Sequence, residues 1–147
     1  MITITRANVS DIVTIVPLFD AYRCWYHQTS DLKGAEQFVR ERLTNDQSVI
    51  FIAWKNNKAV GFTQLYPIYS SVSMRTAWLL NDLYVDASVR KEGVGTELLE
   101  AAKQFCITQG SKWLMLQTGS DNTTAQSVYE KHGWKRESDF FYTLNVE

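Results

Sequence analysis

Trp78-Leu79-Leu80-Asn81-Asp82-Leu83-Tyr84-Val85, followed shortly by Val89-Arg90-Lys91-Glu92-Gly93-Val94-Gly95-Thr96, decides how this chain is read. The first block is a largely apolar run of strand length. The second leads into a helical pattern that starts near Val94. Glycines between a strand and a helix let a diphosphate approach the backbone N–H groups at the helix N-terminus, so a nucleotide-type cofactor is the first expectation. Two familiar phosphate loops are excluded. The pattern G-x-x-x-x-G-K-[ST] is absent, and Gly93-Val94-Gly95 runs into Thr96-Glu97-Leu98, without the third glycine of a dinucleotide fingerprint. Taken alone, the loop also fits a turn and helix start that bind nothing.

Upstream of the loop, residues 2–6 alternate Ile and Thr and predict a short strand. Ile12, Ile15, Val16, Phe19, Tyr22 and Tyr26 follow helical spacing, with Asn8 or Ser10 as N-cap. Pro17 sits inside that pattern. An interior proline costs about 3 kcal/mol, which predicts a kink or a late helix start. Ala35, Phe38, Val39, Arg42 and Leu43 predict a second helix. Val49 to Trp54 reads as a strand buried on both faces, turning at Lys55-Asn56-Asn57-Lys58 into a return strand, Ala59 to Tyr66. Pro67 to Arg75 is expected as a loop and Thr76 to Val85 as the next strand.

Downstream, helix 94–109 has Val94, Leu98, Ala102, Phe105 and Cys106 on one face and ends at Gly110. Trp113 to Leu116 predicts another buried strand. Asn122 is the expected N-cap of a helix carrying Ala125, Val128, Tyr129 and His132, which Gly133 ends. Trp134 to Val146 is expected to supply one or two closing strands. The order is that of a mixed α/β sheet in a single domain.

The composition agrees with a globular chain: 147 residues, 45% hydrophobic and 21% charged. A net charge of −1 leaves no basic footprint for nucleic acid or an anionic membrane. Cys24 and Cys106 make no metal or redox spacing, and with two histidines no metal site is expected. The N-terminus does not read as a signal peptide and no apolar run is long enough to span a bilayer, so a cytoplasmic protein is expected.

Two blocks carry a family likeness. Arg90-x-x-Gly93-x-Gly95, after Leu83-Tyr84-Val85 and before Leu98-Leu99, resembles the acetyl-CoA loop of the GNAT superfamily of N-acetyltransferases, written R/Q-x-x-G-x-G/A. Asn122 to Trp134 resembles that superfamily's N-x-x-A-x-x-x-Y-x-x-x-G-F/W segment, in the right order and with a helix and a strand between the blocks. The likeness covers residues 48–136 by motif and residues 1–47 by element order. Its flavour is that of small diamine- and histone-acetyltransferase-like members. Lys91 stands where many members have glycine or asparagine. Asn81-Asp82 lacks one of the two carboxylates that polyamine enzymes often place there, which weighs against a polyamine acceptor.

The resemblance implies one N-acetyltransferase domain over 1–147, with a central, mostly antiparallel sheet flanked by helices. Acetyl-CoA would be the co-substrate and no metal would be needed. A splayed strand at Leu83-Tyr84-Val85 would present N–H groups to the pantetheine arm and polarise the thioester carbonyl. Arg90, Lys91, Glu92, Gly93, Val94, Gly95 and Thr96 would form the pyrophosphate loop, aided by the helix dipole and by the charges of Arg90 and Lys91, with Glu92 turned to solvent. Asn122, Thr124, Ala125 and Tyr129 would border the cofactor from the second block.

Acetyl transfer needs a polarised carbonyl, a neutral amine and a stabilised leaving thiolate. Tyr129 is the candidate acid for the thiolate; the same spacing also fits a core aromatic. Asp82 is the candidate base, directly or through water, or the anchor of a cationic amine; a purely structural carboxylate is the alternative. Tyr22, Tyr26 and Asn81 are expected at the acceptor, with Trp25, Tyr66 and Tyr69 lining an aromatic groove or simply packing the core. The acceptor is a small-molecule amine or a lysine side chain. A non-catalytic CoA sensor or adaptor, and an interaction domain that binds no nucleotide, are the competing readings. Phe140-Phe141-Tyr142 fits a homodimer paired through strands across a two-fold axis, and equally fits packing inside one subunit.

Overall fold

The computed structural model describes residues 1–147, which form two compact units, Met1–Leu116 and Gln117–Glu147. The first contains β1 (Ile2–Arg6), α1 (Ile12–Trp25), α2 (Leu32–Thr44), β2 (Val49–Lys55), β3 (Lys58–Ser70), β4 (Arg75–Val85), α3 (Val94–Thr108) and β5 (Leu114–Leu116). The strands make one sheet in the order β1-β2-β3-β4-β5. The first four are mutually antiparallel, and β5 runs parallel to β4. The mixed, mostly antiparallel sheet flanked by helices is therefore present. No helix is long and apolar enough to cross a membrane.

Both faces of the sheet are covered in the first unit, which is why β2 is apolar at consecutive positions. Ile50 and Ile52 join Ile12, Ile15, Phe19, Val39 and Phe62 in the core beneath α1 and α2. Phe51 faces the other way and meets Phe105 of α3 with ring centroids 5.8 Å apart. On α3, Val94, Leu98, Leu99, Ala102 and Cys106 are buried, which is the helical spacing of one face.

Local chemistry explains the helix starts. Asn8 caps the short 3-10 turn Val9–Asp11 with a full capping box, and α1 continues from it. Helix α1 runs through Pro17, which stands on its exposed face, so the carbonyl left unpaired by the missing N–H meets water. Asp31 caps α2 by accepting from the Gly34 N–H at 2.9 Å. Asp20, buried near the end of α1, accepts from the Ser30 hydroxyl at 2.7 Å and the Asp31 N–H at 2.8 Å, and so ties the α1–α2 loop down.

The Ser30 and Asp31 donors, foremost the Ser30 hydroxyl, hold the Asp20 carboxyl below its ordinary value. Asp20→Ala is expected to cost about 1–3 kcal/mol, since it strands these donors. The sign with pH follows from the lowered folded value. The stabilisation is complete above the unfolded carboxylate range and is lost as pH falls below about 3.9 toward the folded value. Thermal melts of wild type and Asp20→Ala should thus differ at pH 7 and converge in acid.

Two expectations are corrected. Pro67 to Arg75 is not a loop: β3 runs on to Ser70 and β4 begins at Arg75, leaving Ser71–Met74 as the turn. Proline is tolerated there because β2 pairs with β3 only as far as Leu65, so beyond it a missing N–H on that edge breaks no ladder bond. The closing strands expected over Trp134 to Val146 do not form. The polar run Lys135 to Asp139 interrupts the alternation, and Phe140, Phe141 and Tyr142 are 82–95% exposed. The second unit instead has one regular element, α4 (Thr123–Lys131).

Candidate active site

The site begins with an irregularity in β4. Gln64 pairs with Asp82, but Leu65 pairs with Leu80, so Asn81 is an extra residue with no counterpart on β3. This is a β-bulge, which bends a strand and re-aims its side chains. Simple alternation would put Trp78, Leu80, Asp82 and Tyr84 on one face. The bulge divides them. Trp78 meets Phe105 of α3 with centroids 5.1 Å apart, whereas Tyr84 meets Tyr22 of α1 at 6.2 Å. Asp82 is delivered to the α1 side, opposite Gln64.

The parallel ladder to β5 stops at Leu80–Leu116, the residue before the bulge. From Asn81 to Val85, β4 has β3 on one side and no strand on the other. Alternate N–H and C=O groups of these five residues therefore face an unpaired edge.

The end of this edge meets the N-terminus of α3. Gly61 of β3 makes the approach close. A β-carbon there would lie 2.7 Å from the Tyr84 carbonyl oxygen and 3.4 Å from both Leu98 Cδ1 and Val94 Cγ1. Gly93 is the N-cap of α3 in the left-handed region, φ 85°, with no side-chain cap. The first helical bond is from Glu97 N–H to Gly93 O at 3.1 Å, so the N–H groups of Val94, Gly95 and Thr96 have no partner within the helix.

Arg90 donates from Nε to the Val85 carbonyl at 3.1 Å and lays its guanidinium 4.5 Å from the Trp25 ring centroid, so it braces the loop against α1. Glu92 is exposed, in line with a side chain turned to solvent, and pairs at the surface with Lys55 of β2, which offsets its charge. Lys91 has φ 69°, which explains why glycine or asparagine suits this position. Lys91→Gly is expected to raise stability by about 0.5–1 kcal/mol, as a rise of about 1–4 °C in Tm. Lys91→Ala removes the charge but keeps the strain and should give no such rise.

Around Asp82 the structure gathers several expected acceptor residues. The carboxylate is buried at 6% exposure. It accepts from Gln64 Nε2 at 2.8 Å and from Asn81 Nδ2 at 3.1 Å. Burial above all, then the nearby Asp82 charge and Tyr26, pushes the Tyr22 phenol above its usual range. Burial and Asp82 push Tyr66 up to about 12, with Arg42 pulling the other way. Both phenols are neutral at physiological pH. Tyr22 and Tyr26 stack edge-on at 5.1 Å. The remaining aromatics stand apart from this group: Trp25 lies under Arg90, and Tyr69 is 78% exposed near the β3–β4 turn.

In the second unit Asn122 caps α4, accepting from the Ala125 N–H at 3.2 Å. Thr124, Ala125 and Tyr129 lie on α4, and the Tyr129 ring is 6.0 Å from Trp134. Gln64, Gly61 and the Trp25–Arg90 contact are not singled out by sequence reasoning. A glutamine within Phe62-Thr63-Gln64-Leu65 and a glycine inside a strand are the signals that point to the first two.

A bulged strand with one edge that no strand pairs, meeting helix N–H groups that have no partner within the helix, defines the class: an acyltransferase fold. The model of the acetyltransferase (GNAT) family matches residues 15–134, and the chain belongs to that family. It is an N-acetyltransferase. A Bacillus subtilis (strain 168) protein described as uncharacterized N-acetyltransferase YhfO is 49% identical over 144 residues, covering 97% of each chain. A probable acetyltransferase of Haemophilus influenzae is 30% identical over 131 residues, covering 88% of each. The crystal structure of a probable acetyltransferase superposes with a TM-score of 0.93 at 34% identity, covering 99% of this chain and 98% of that one.

Proposed function

We propose that this enzyme uses acetyl-CoA to acetylate a primary amine, of a small molecule or a lysine side chain, by direct attack on the thioester. The observation that carries the reading is the unpaired Asn81–Val85 edge running to the free N–H groups of Val94, Gly95 and Thr96. Acetyl-CoA supplies an activated acetyl group. Its amide-bearing arm suits a strand edge, and its pyrophosphate suits a helix N-terminus, where about half a positive charge is concentrated. Gly93 supports this fit, because nothing lies within 4 Å of where its β-carbon would be.

In this reading the β4 N–H groups polarise the carbonyl as an oxyanion hole does. Asp82 binds the acceptor amine and takes the proton released as the N–C bond forms, directly or through water. Tyr22, Tyr26 and Asn81 border the amine. Tyr129 protonates the departing thiolate. Residues 1–147 act as one N-acetyltransferase domain, which the family match across both units supports. A cytoplasmic homodimer, joined through Phe140 to Tyr142, belongs to the same reading.

The test is incubation with acetyl-CoA and a panel of amines, following free thiol, with cofactor binding measured by calorimetry. Thiol release that depends on one amine class supports the reading. Tight acetyl-CoA binding without turnover on any amine overturns it.

A further inference from the structure

Asp82 is gripped twice by consecutive residues of β3. The Thr63 hydroxyl donates to the Asp82 backbone carbonyl at 2.8 Å, and the Gln64 amide donates to its carboxylate at 2.8 Å. Both residues are fully buried. An ionised carboxylate only accepts, so Gln64 must present its NH2 group to it, and its Oε1 is thereby committed to the other side. That oxygen is buried and has no hydrogen-bond partner. A buried acceptor left empty is destabilising, and such groups are rare unless a water or a ligand donor satisfies them.

We infer that Gln64 is a positioning residue for the acetyl-transfer site: its NH2 group fixes the orientation of the Asp82 carboxylate, and its Oε1 is the acceptor for an enclosed water. The inference rests on the reading of Asp82 given above. It goes further by making the site a pair, one group that takes the proton and one that holds that group in place. The arrangement is buried and preorganised, which is what a proton acceptor needs to meet a nitrogen at a fixed angle. The other titratable groups facing Asp82 are Tyr22 from α1 and Tyr66 from β3, with Tyr26, the residue after α1, acting on Tyr22 and Arg42 of α2 acting on Tyr66. The raised Tyr22 and Tyr66 phenols stay neutral below about pH 9, so they do not titrate in the range tested.

The experiment compares wild type with Gln64→Met, which keeps the volume, and Gln64→Glu, which keeps an oxygen but replaces the donor with a second carboxylate. Two readouts are used: kcat and KM across pH 5–9 with a free amine that serves as substrate, and the carbon-13 carboxyl signal of Asp82, identified by its loss in Asp82→Asn. Gln64→Met is expected to move the Asp82 carboxyl signal and the acid limb of kcat/KM together. A fall of about 10- to 100-fold in kcat, with KM for acetyl-CoA unchanged, should accompany it. Gln64→Glu should move the limb further, because two adjoining carboxylates resist joint ionisation. A lowered Tm with neither the titration nor the pH profile moved would overturn the proposal. So would a moved titration with an unmoved profile. The carboxyl signal needs no turnover: if every amine is refused, the proposed activity fails, while an unmoved signal still refutes the Gln64–Asp82 pairing by itself.

Discussion

Gly61→Ala is expected to lower the melting temperature by roughly 5–10 °C, the equivalent of about 2–3 kcal/mol for a chain of this size. The new β-carbon would fall 2.7 Å from the Tyr84 carbonyl oxygen, which is backbone within a paired strand and cannot swing aside as a side-chain tip would. Leu98 and Val94, at 3.4 Å, close the space from the α3 side. Relief requires β3 and β4 to part, or α3 to lift, where the glycine loop, proposed to hold the cofactor, is anchored. Acetyl-CoA affinity should therefore fall with Tm. Gly95→Ala is the control for stability: its β-carbon would meet Val85 Cγ2 at 3.9 Å, an ordinary contact, and no Tm loss is expected. Calorimetric melts together with titration of acetyl-CoA check both. An unchanged Tm in Gly61→Ala would mean that the strands yield more easily than the packing implies.

Asp82→Asn separates chemistry from folding. Asparagine has the same shape, and its carbonyl oxygen can still accept from Gln64, so Tm should change by only a few degrees. With the anionic proton acceptor gone, kcat/KM for the amine should drop by about 10²- to 10⁴-fold. Acetyl-CoA affinity should hold, because the cofactor's expected partners are backbone N–H groups that do not include this carboxylate. Steady-state rates with calorimetry decide it. Rates within a few-fold of wild type would remove Asp82 from the proton path. A parallel collapse of Tm would make it a structural carboxylate.

Sequence reading reaches these residues unevenly, for physical reasons. The glycine loop is legible because a left-handed N-cap and an uncapped helix start leave a local signature at Gly93. Asn122 as a cap is legible for the same reason. Asp82 stands out as a carboxylate in an apolar run. Its facing toward α1 is not legible, because that depends on a bulge, and a bulge belongs to the pairing of two strands and not to either sequence. Gln64 is invisible to periodicity: its role exists only through Asp82, eighteen positions away. The Pro67 to Arg75 segment misleads because a proline that normally ends strands lies beyond the reach of β2. The Trp134 to Val146 segment misleads because β-forming residues need a partner edge as well as propensity.

The bulge at Asn81 also bears on how this enzyme can be altered. The ladder between β4 and β5 ends at the residue just before it. Without that residue Asp82 would follow Leu80 directly and still stand opposite Gln64, but the bend that a bulge puts into the strand would be gone, and with it the Asn81 donor to Asp82. The course of β4 would change while every other named side chain survived. A library of substitutions never samples that change. The bend in β4 is written in the length of the chain, and a single deletion can erase what no exchange of side chains would reveal.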